Sequence, residues 1–157
     1  MRRFRPWHGI VLVVLFVAAF LYADVALVGG RGDHQRVSPD PRTGQVRLDV
    51  GDLAAGDVRF YRFLNSGNQE VKLFVGRDAG GTLQVGFDAN EICFKRKRGY
   101  QHDGEWLVCR VCDKSFRLDE VNQGGGGCKP VPLPHRVEGD ELVLAENDVL
   151  TGWRYFR

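Results

Sequence analysis

Residues 104–116 read GEWLVCRVCDKSF. Trp106 to Cys109 form a short run of strand-favouring residues. Ser115–Phe116–Arg117 then resumes a polar–apolar alternation. Between the two runs lies Cys109-Arg-Val-Cys112. The stretch reads as strand, turn, strand, with two sulfurs at the turn.

The same pattern continues outward in both directions. Upstream are QVRLDV, DVRFYRFLN, EVKLFVGR and TLQVGFD, and downstream are SFRLDEV, DELVLAEND and VLTGWRYF. Each run is short and bounded by Gly, Asp or Asn, as in antiparallel sheets. No segment after residue 30 sustains a helical period of apolar residues. The expectation is a mainly β protein: one compact antiparallel domain of about eight short strands.

The cysteines are spaced Cys93-x15-Cys109-x2-Cys112-x15-Cys128. Covalent c-type haem attachment needs histidine directly after the second cysteine, and Asp113 stands there. A thioredoxin-like redox pair needs a helix start that lowers the thiol pKa, and here the pair follows a strand-like run. Two disulfides are the default for an exported chain with an even cysteine count. A two-residue gap, however, is a preferred bite for two thiolates on one metal. Gly124–Gly127, just before Cys128, would let the backbone approach closely and aim N–H groups at a sulfur. The pattern favours a metal or cluster held by Cys93, Cys109, Cys112 and Cys128. Zinc and iron–sulfur chemistry both accept four thiolates, and both stay open.

Ile10–Val28 is apolar apart from Asp24, and Arg2, Arg3 and Arg5 precede it. As a helix it would be about 28 Å long, close to the hydrocarbon thickness of a bilayer. The basic tail places the N-terminus in the cytoplasm and the rest outside. A cleaved signal peptide is the other reading, but small residues fit poorly at −3 and −1 of its cleavage sites. The expected organisation is an anchor over 1–30, a linker over 31–45 and an extracytoplasmic domain over 46–157. Without Arg2, Arg3, Arg5 and Asp24 the chain carries 19 basic and 19 acidic residues. That balance argues against nucleic acid as a partner.

The pieces Phe87-Asp88-Ala89, Cys93, Gly99-Tyr100, the Cys109/Cys112 pair, Phe116 and Gly126-Gly127-Cys128 with Pro130 resemble the membrane-anchored iron–sulfur proteins of the FtrD-like family. The resemblance implies a single-pass inner-membrane protein with a periplasmic domain and an iron–sulfur centre on the four cysteines. It also implies electron transfer beside a membrane redox or iron-transport partner in bacterial iron uptake. Many relatives carry a further cysteine where Asn90 stands here, which leaves four ligands rather than five. A structural zinc or disulfide module and a thiol–disulfide oxidoreductase are the alternatives. Tyr100 and Trp106 are expected to cover the site. His102 and His135 are expected to be solvated loop residues rather than ligands. Lys95–Arg98 is a solvated hairpin tip or a docking patch for an acidic partner.

Overall fold

The computed structural model describes residues 34–124 and 126–157. The expected anchor over 1–30 lies outside the described residues. Among the described residues no helix is long and apolar enough to cross a membrane.

Among the described residues, ten strands form three sheets. The largest takes β1 (Gln35–Val37), β3 (Val58–Leu64), β4 (Glu70–Arg77) and β5 (Leu83–Phe87), in the order β1-β3-β4-β5. The second is β2 (Gln45–Asp49), β10 (Glu141–Ala145) and β9 (Arg136–Glu138), with β10 in the middle. The third is β6 (Tyr100–Asp103), β7 (Trp106–Cys109) and β8 (Ser115–Arg117). All pairings are antiparallel except β1 with β3.

The large sheet is buried on both faces, and the two-residue period of its strands sorts its side chains. In β3 and β4, Tyr61, Phe63, Val71, Leu73 and Val75 face one core with Leu48, Leu142 and Leu144 of the second sheet. Phe60 and Phe74, paired across the two strands, face the other way. They pack with Tyr100, Leu107, Cys109, Leu118 and Val121. Strand β4 is therefore a shared wall between a larger and a smaller core. The smaller core carries two of the cysteines, Cys93 and Cys109.

Strand β5 sets where the cysteine region begins and ends. Residues 131–133 run beside it: Phe87 N donates to Val131 O, Leu133 N donates to Val85 O, and Gly86 bridges Pro132. The segment leaving β5 towards Cys93 and the segment arriving from Cys128 therefore share one sheet edge.

Three expectations are corrected. Residues 35–37, read within the 31–45 linker, form β1 on the edge of β3. Residues 118–120, read as continuing the strand after the cysteine pair, form a 3₁₀ turn that buries Leu118. VLTGWRYF is not a strand. Glu146–Thr151 is helix α1, followed by a 3₁₀ turn over Gly152–Tyr155. Glu146 and Asp148 sit in the first turn of α1, where carboxylates favour the positive helix end. Val149 and Tyr155 are buried in the larger core. At Gly152 a β-carbon would collide with the Phe87 ring, so the turn packs on β5 only because glycine is there.

The burial pattern sets an ordering of mutational cost. Phe63→Ala, at 0 % exposure, should cost about 3–5 kcal/mol. Val137→Ala, on the exposed edge strand β9, should stay within about 0.5 kcal/mol. Denaturant unfolding of the two variants checks the ranking.

Candidate metal centre

The four cysteines arrive from three places. Cys93 caps the start of the 3₁₀ turn Phe94–Arg96. Cys109 ends β7 opposite Tyr100. Cys112 lies in the turn between β7 and β8, and Cys128 precedes the segment bound to β5. The turn is closed by Cys109 N donating to Lys114 O and Asp113 N donating to Cys109 O, both at 2.9 Å. Asp113 takes φ 57° there, a left-handed conformation that Asp tolerates better than most residues. Asp113 thus serves the backbone turn. No helix starts at the Cys109/Cys112 pair.

All four thiols are free. The Sγ atoms of Cys93, Cys112 and Cys128 lie within 4.8 Å of one another, and Cys93 and Cys128 are 3.7 Å apart. Burial pushes the Cys93 thiol up to about 12, helped by hydrogen bonding with the thiols of Cys128, Cys109 and Cys112. Cys109 Sγ stands outside that 4.8 Å group, although Cys109 is buried in the same smaller core as Cys93. Cys93 and Cys109 are buried, while Cys112 and Cys128 are half-buried.

Asn90, 2 % exposed, holds this group together. Its Oδ1 accepts from Cys93 N at 2.6 Å and from Ile92 N at 3.1 Å. Its Nδ2 donates to Tyr100 Oη at 2.9 Å and to Cys109 Sγ at 3.7 Å. Tyr100 Oη in turn donates to Cys128 O at 2.5 Å. One carboxamide and one phenol so connect to the segments of Cys93, Cys109 and Cys128. Burial raises the Tyr100 pKa and keeps the phenol protonated as a donor.

Asp88 fixes the second turn of the site. Its Oδ1 accepts from Tyr100 N at 2.6 Å, and its Oδ2 lies 3.1 Å from His34 Nε2. Gly99 crosses directly above this carboxylate at φ 61°. A β-carbon there would strike the Asp88 oxygens, so both backbone and space require glycine.

The remaining expectations divide. Tyr100 covers the site as expected. Trp106 does not: it is 43 % exposed, because alternation along β7 turns it away from Leu107 and Cys109. His102 Nε2 donates to Gly56 O at 2.7 Å, and His135 Nδ1 donates to Leu133 O at 3.0 Å. Both ring nitrogens are thus engaged with backbone. Lys95–Arg98 is exposed but lies on the 3₁₀ turn and its left-handed end at Lys97, φ 52°, rather than on a hairpin tip. The glycines before Cys128 serve a different purpose from the expected one. Gly124, Gly126 and Gly127 have φ of 77°, 58° and 69°, and a β-carbon on any of them meets nothing within 4 Å. They are needed for left-handed backbone and not for close approach. The N–H donor that reaches a sulfur comes from Asn90. His34–Asp88 was not anticipated, since 54 residues separate the pair.

The sequence matches the family described as membrane iron–sulfur containing protein FtrD-like over residues 53–156. The chain belongs to this family. A comparison with curated proteins gave no match. Among solved structures, the chain is similar to the quaternary ammonium Rieske monooxygenase CntA, crystallised with an inhibitor, at 9 % identity and a TM-score of 0.45. That similarity covers 73 % of this chain and 32 % of the other, so the FtrD-like chain spans about a third of that protein.

The residues present fit what the family name implies. Four cysteine thiols are the ligand set of common iron–sulfur centres and suit soft metal ions generally. The 3.7 Å separation of Cys93 and Cys128 matches two thiolates on one tetrahedral ion, about 3.8 Å apart for metal–sulfur bonds of about 2.3 Å.

Two measurements probe this arrangement. In metal-free, folded protein, alkylation should reach Cys112 and Cys128 well before Cys93 and Cys109, as read by peptide mass spectrometry over time. Asn90→Asp keeps the acceptor for Cys93 N and removes the donor to Cys109 Sγ. Metal affinity in that variant should fall about 10–100-fold in a chelator competition.

Proposed function

We propose that this FtrD-like domain is an extracytoplasmic electron-transfer protein, tethered to the inner membrane by residues 10–28. Cys93, Cys109, Cys112 and Cys128 ligate its iron–sulfur centre, and the protein serves a bacterial iron-uptake assembly. The observation that carries the reading is the gathering of the Cys93, Cys112 and Cys128 thiols within 4.8 Å of one another, with Cys109 buried in the same smaller core. The family description supplies the iron–sulfur and membrane character.

The bound group would supply a redox couple carried by iron and sulfur. The chain supplies the surroundings that set its behaviour. The Asn90 amide donates towards Cys109 Sγ, and a donor to a ligand sulfur favours the more negative, reduced state. Phe60, Phe74 and Leu107 pack against the cysteines and keep water from one side. Cys112 and Cys128 form the half-buried, outward edge, where a partner can approach closely. The exposed cations Lys95, Arg96, Lys97 and Arg98 follow Cys93 in sequence. They favour an acidic docking partner and offset thiolate charge.

A single tetrahedral ion, zinc or iron, is the second reading, and the 3.7 Å sulfur separation supports it. Anaerobic purification followed by metal and sulfide analysis separates the two. The electron-transfer reading expects iron with acid-labile sulfide, visible absorption that bleaches on reduction, and loss of that absorption in Cys109→Ser. A colourless protein with one zinc per chain would overturn it.

A further inference from the structure

A cavity of about 390 Å³ opens beside the cysteines, with Cys93 and Asn90 in its wall. It lies where β4, the exit of β5, the turn over 94–99 and the Cys109/Cys112 turn meet. Tyr155 and Phe156 of the C-terminal turn also line it. That turn is tied to the site by Tyr155 Oη donating to Glu91 Oε1 at 2.6 Å. The volume is at the small end of ligand pockets.

The charge of the lining is unbalanced. Lys72, Lys97, Arg98 and Arg110 line the cavity against the carboxylates Glu70 and Asp88. Both carboxylates are already engaged. Glu70 pairs with Arg62 at 3.5 Å, and Asp88 accepts from Tyr100 N and lies against His34. Among the described residues none of the four cations is paired with a carboxylate. The Arg110 Nε–H is buried without an acceptor in the protein, a costly state unless an incoming oxygen satisfies it. Gly99, seated over Asp88, fixes the turn that carries Lys97 and Arg98 above the cavity. A concave wall of unpaired cations concentrates positive potential within it.

We propose that this cavity is a binding site for a small multivalent oxyanion, a polycarboxylate or a phosphate, held by Lys72, Lys97, Arg98 and Arg110 next to Cys93. The site does not depend on which metal the cysteines hold. A ligand there lies against one thiolate ligand, so its charge acts directly on the centre.

Calorimetric titration of the metal-loaded, full-length chain in detergent micelles tests the proposal, using citrate and inorganic phosphate separately at low ionic strength. Saturable binding of one anion per chain is expected. Citrate alone assigns the polycarboxylate class and phosphate alone the phosphate class; both support the site. Arg110→Gln and the double variant Lys97→Gln/Arg98→Gln should each weaken binding at least tenfold. The control pair Lys95→Gln/Arg96→Gln, two residues away and outside the cavity, should leave it within about twofold. The site is rejected if neither anion saturates at millimolar concentration, or if both double variants lose affinity equally. It is also rejected if an oligo-glutamate peptide binds while citrate and phosphate do not, which would make the surface a docking patch. Metal analysis of the same samples keeps this result separate from the identity of the centre.

Discussion

The side-chain amide of Asn90 is the constraint on which the cysteine region depends. The polypeptide leaves β5 and must satisfy two backbone N–H groups, one at the exposed Ile92 and one at the buried Cys93. Asn90 Oδ1 takes both of them, and its amino group faces a phenol and a sulfur. A buried polar side chain with every group engaged fixes its surroundings, whereas a half-satisfied one destabilises them. Cysteine at this position would add a ligand and remove this bracket.

Around that amide the charges are layered. Asp88 lies inside, shielded by Tyr100 N and His34, and cations lie outside on the turn over 95–98 and at Arg110. An iron or zinc centre with four thiolates is anionic, and cations at its rim reduce the cost of that charge. The same cations serve whichever anion or acidic surface approaches, so tuning of the centre and recognition share residues. A change at Arg98 or Arg110 is therefore a change to both.

Much of this was legible in the primary structure, and the failures have physical causes. The long strands were legible because both cores impose a two-residue period on β2, β3 and β4. A gathering of cysteines was legible from spacing and from likeness to a family, and the structure brings Cys93, Cys112 and Cys128 within 4.8 Å of one another. Strand β1 was not, since it is three residues long, carries one apolar side chain and pairs in parallel with a strand more than twenty residues on. The C-terminal helix was hidden because α1 has six residues and the Trp153-Arg154-Tyr155 alternation after it imitates a strand. The glycines before Cys128 were identified as important for the wrong reason, because composition alone does not separate a need for positive φ from a need for space. No local pattern announces Asn90 or His34, whose partners are set by the tertiary fold.

The two cores differ in a way that bears on how the protein comes into being. None of the fully buried members of the larger core lies between residues 90 and 132. The smaller core draws on Phe60 and Phe74 from the shared wall but otherwise on that interval. The scaffold can thus close first, from residues on either side, and leave the cysteine loop as an unfinished annex. A metal bound as proposed would clamp segments 35 residues apart, so its binding energy would add to the burial of that smaller core. On the proposed extracytoplasmic placement, a chain so arranged would be able to travel without its inorganic cargo and mature at its destination, with translocation and metallation separated in place and time.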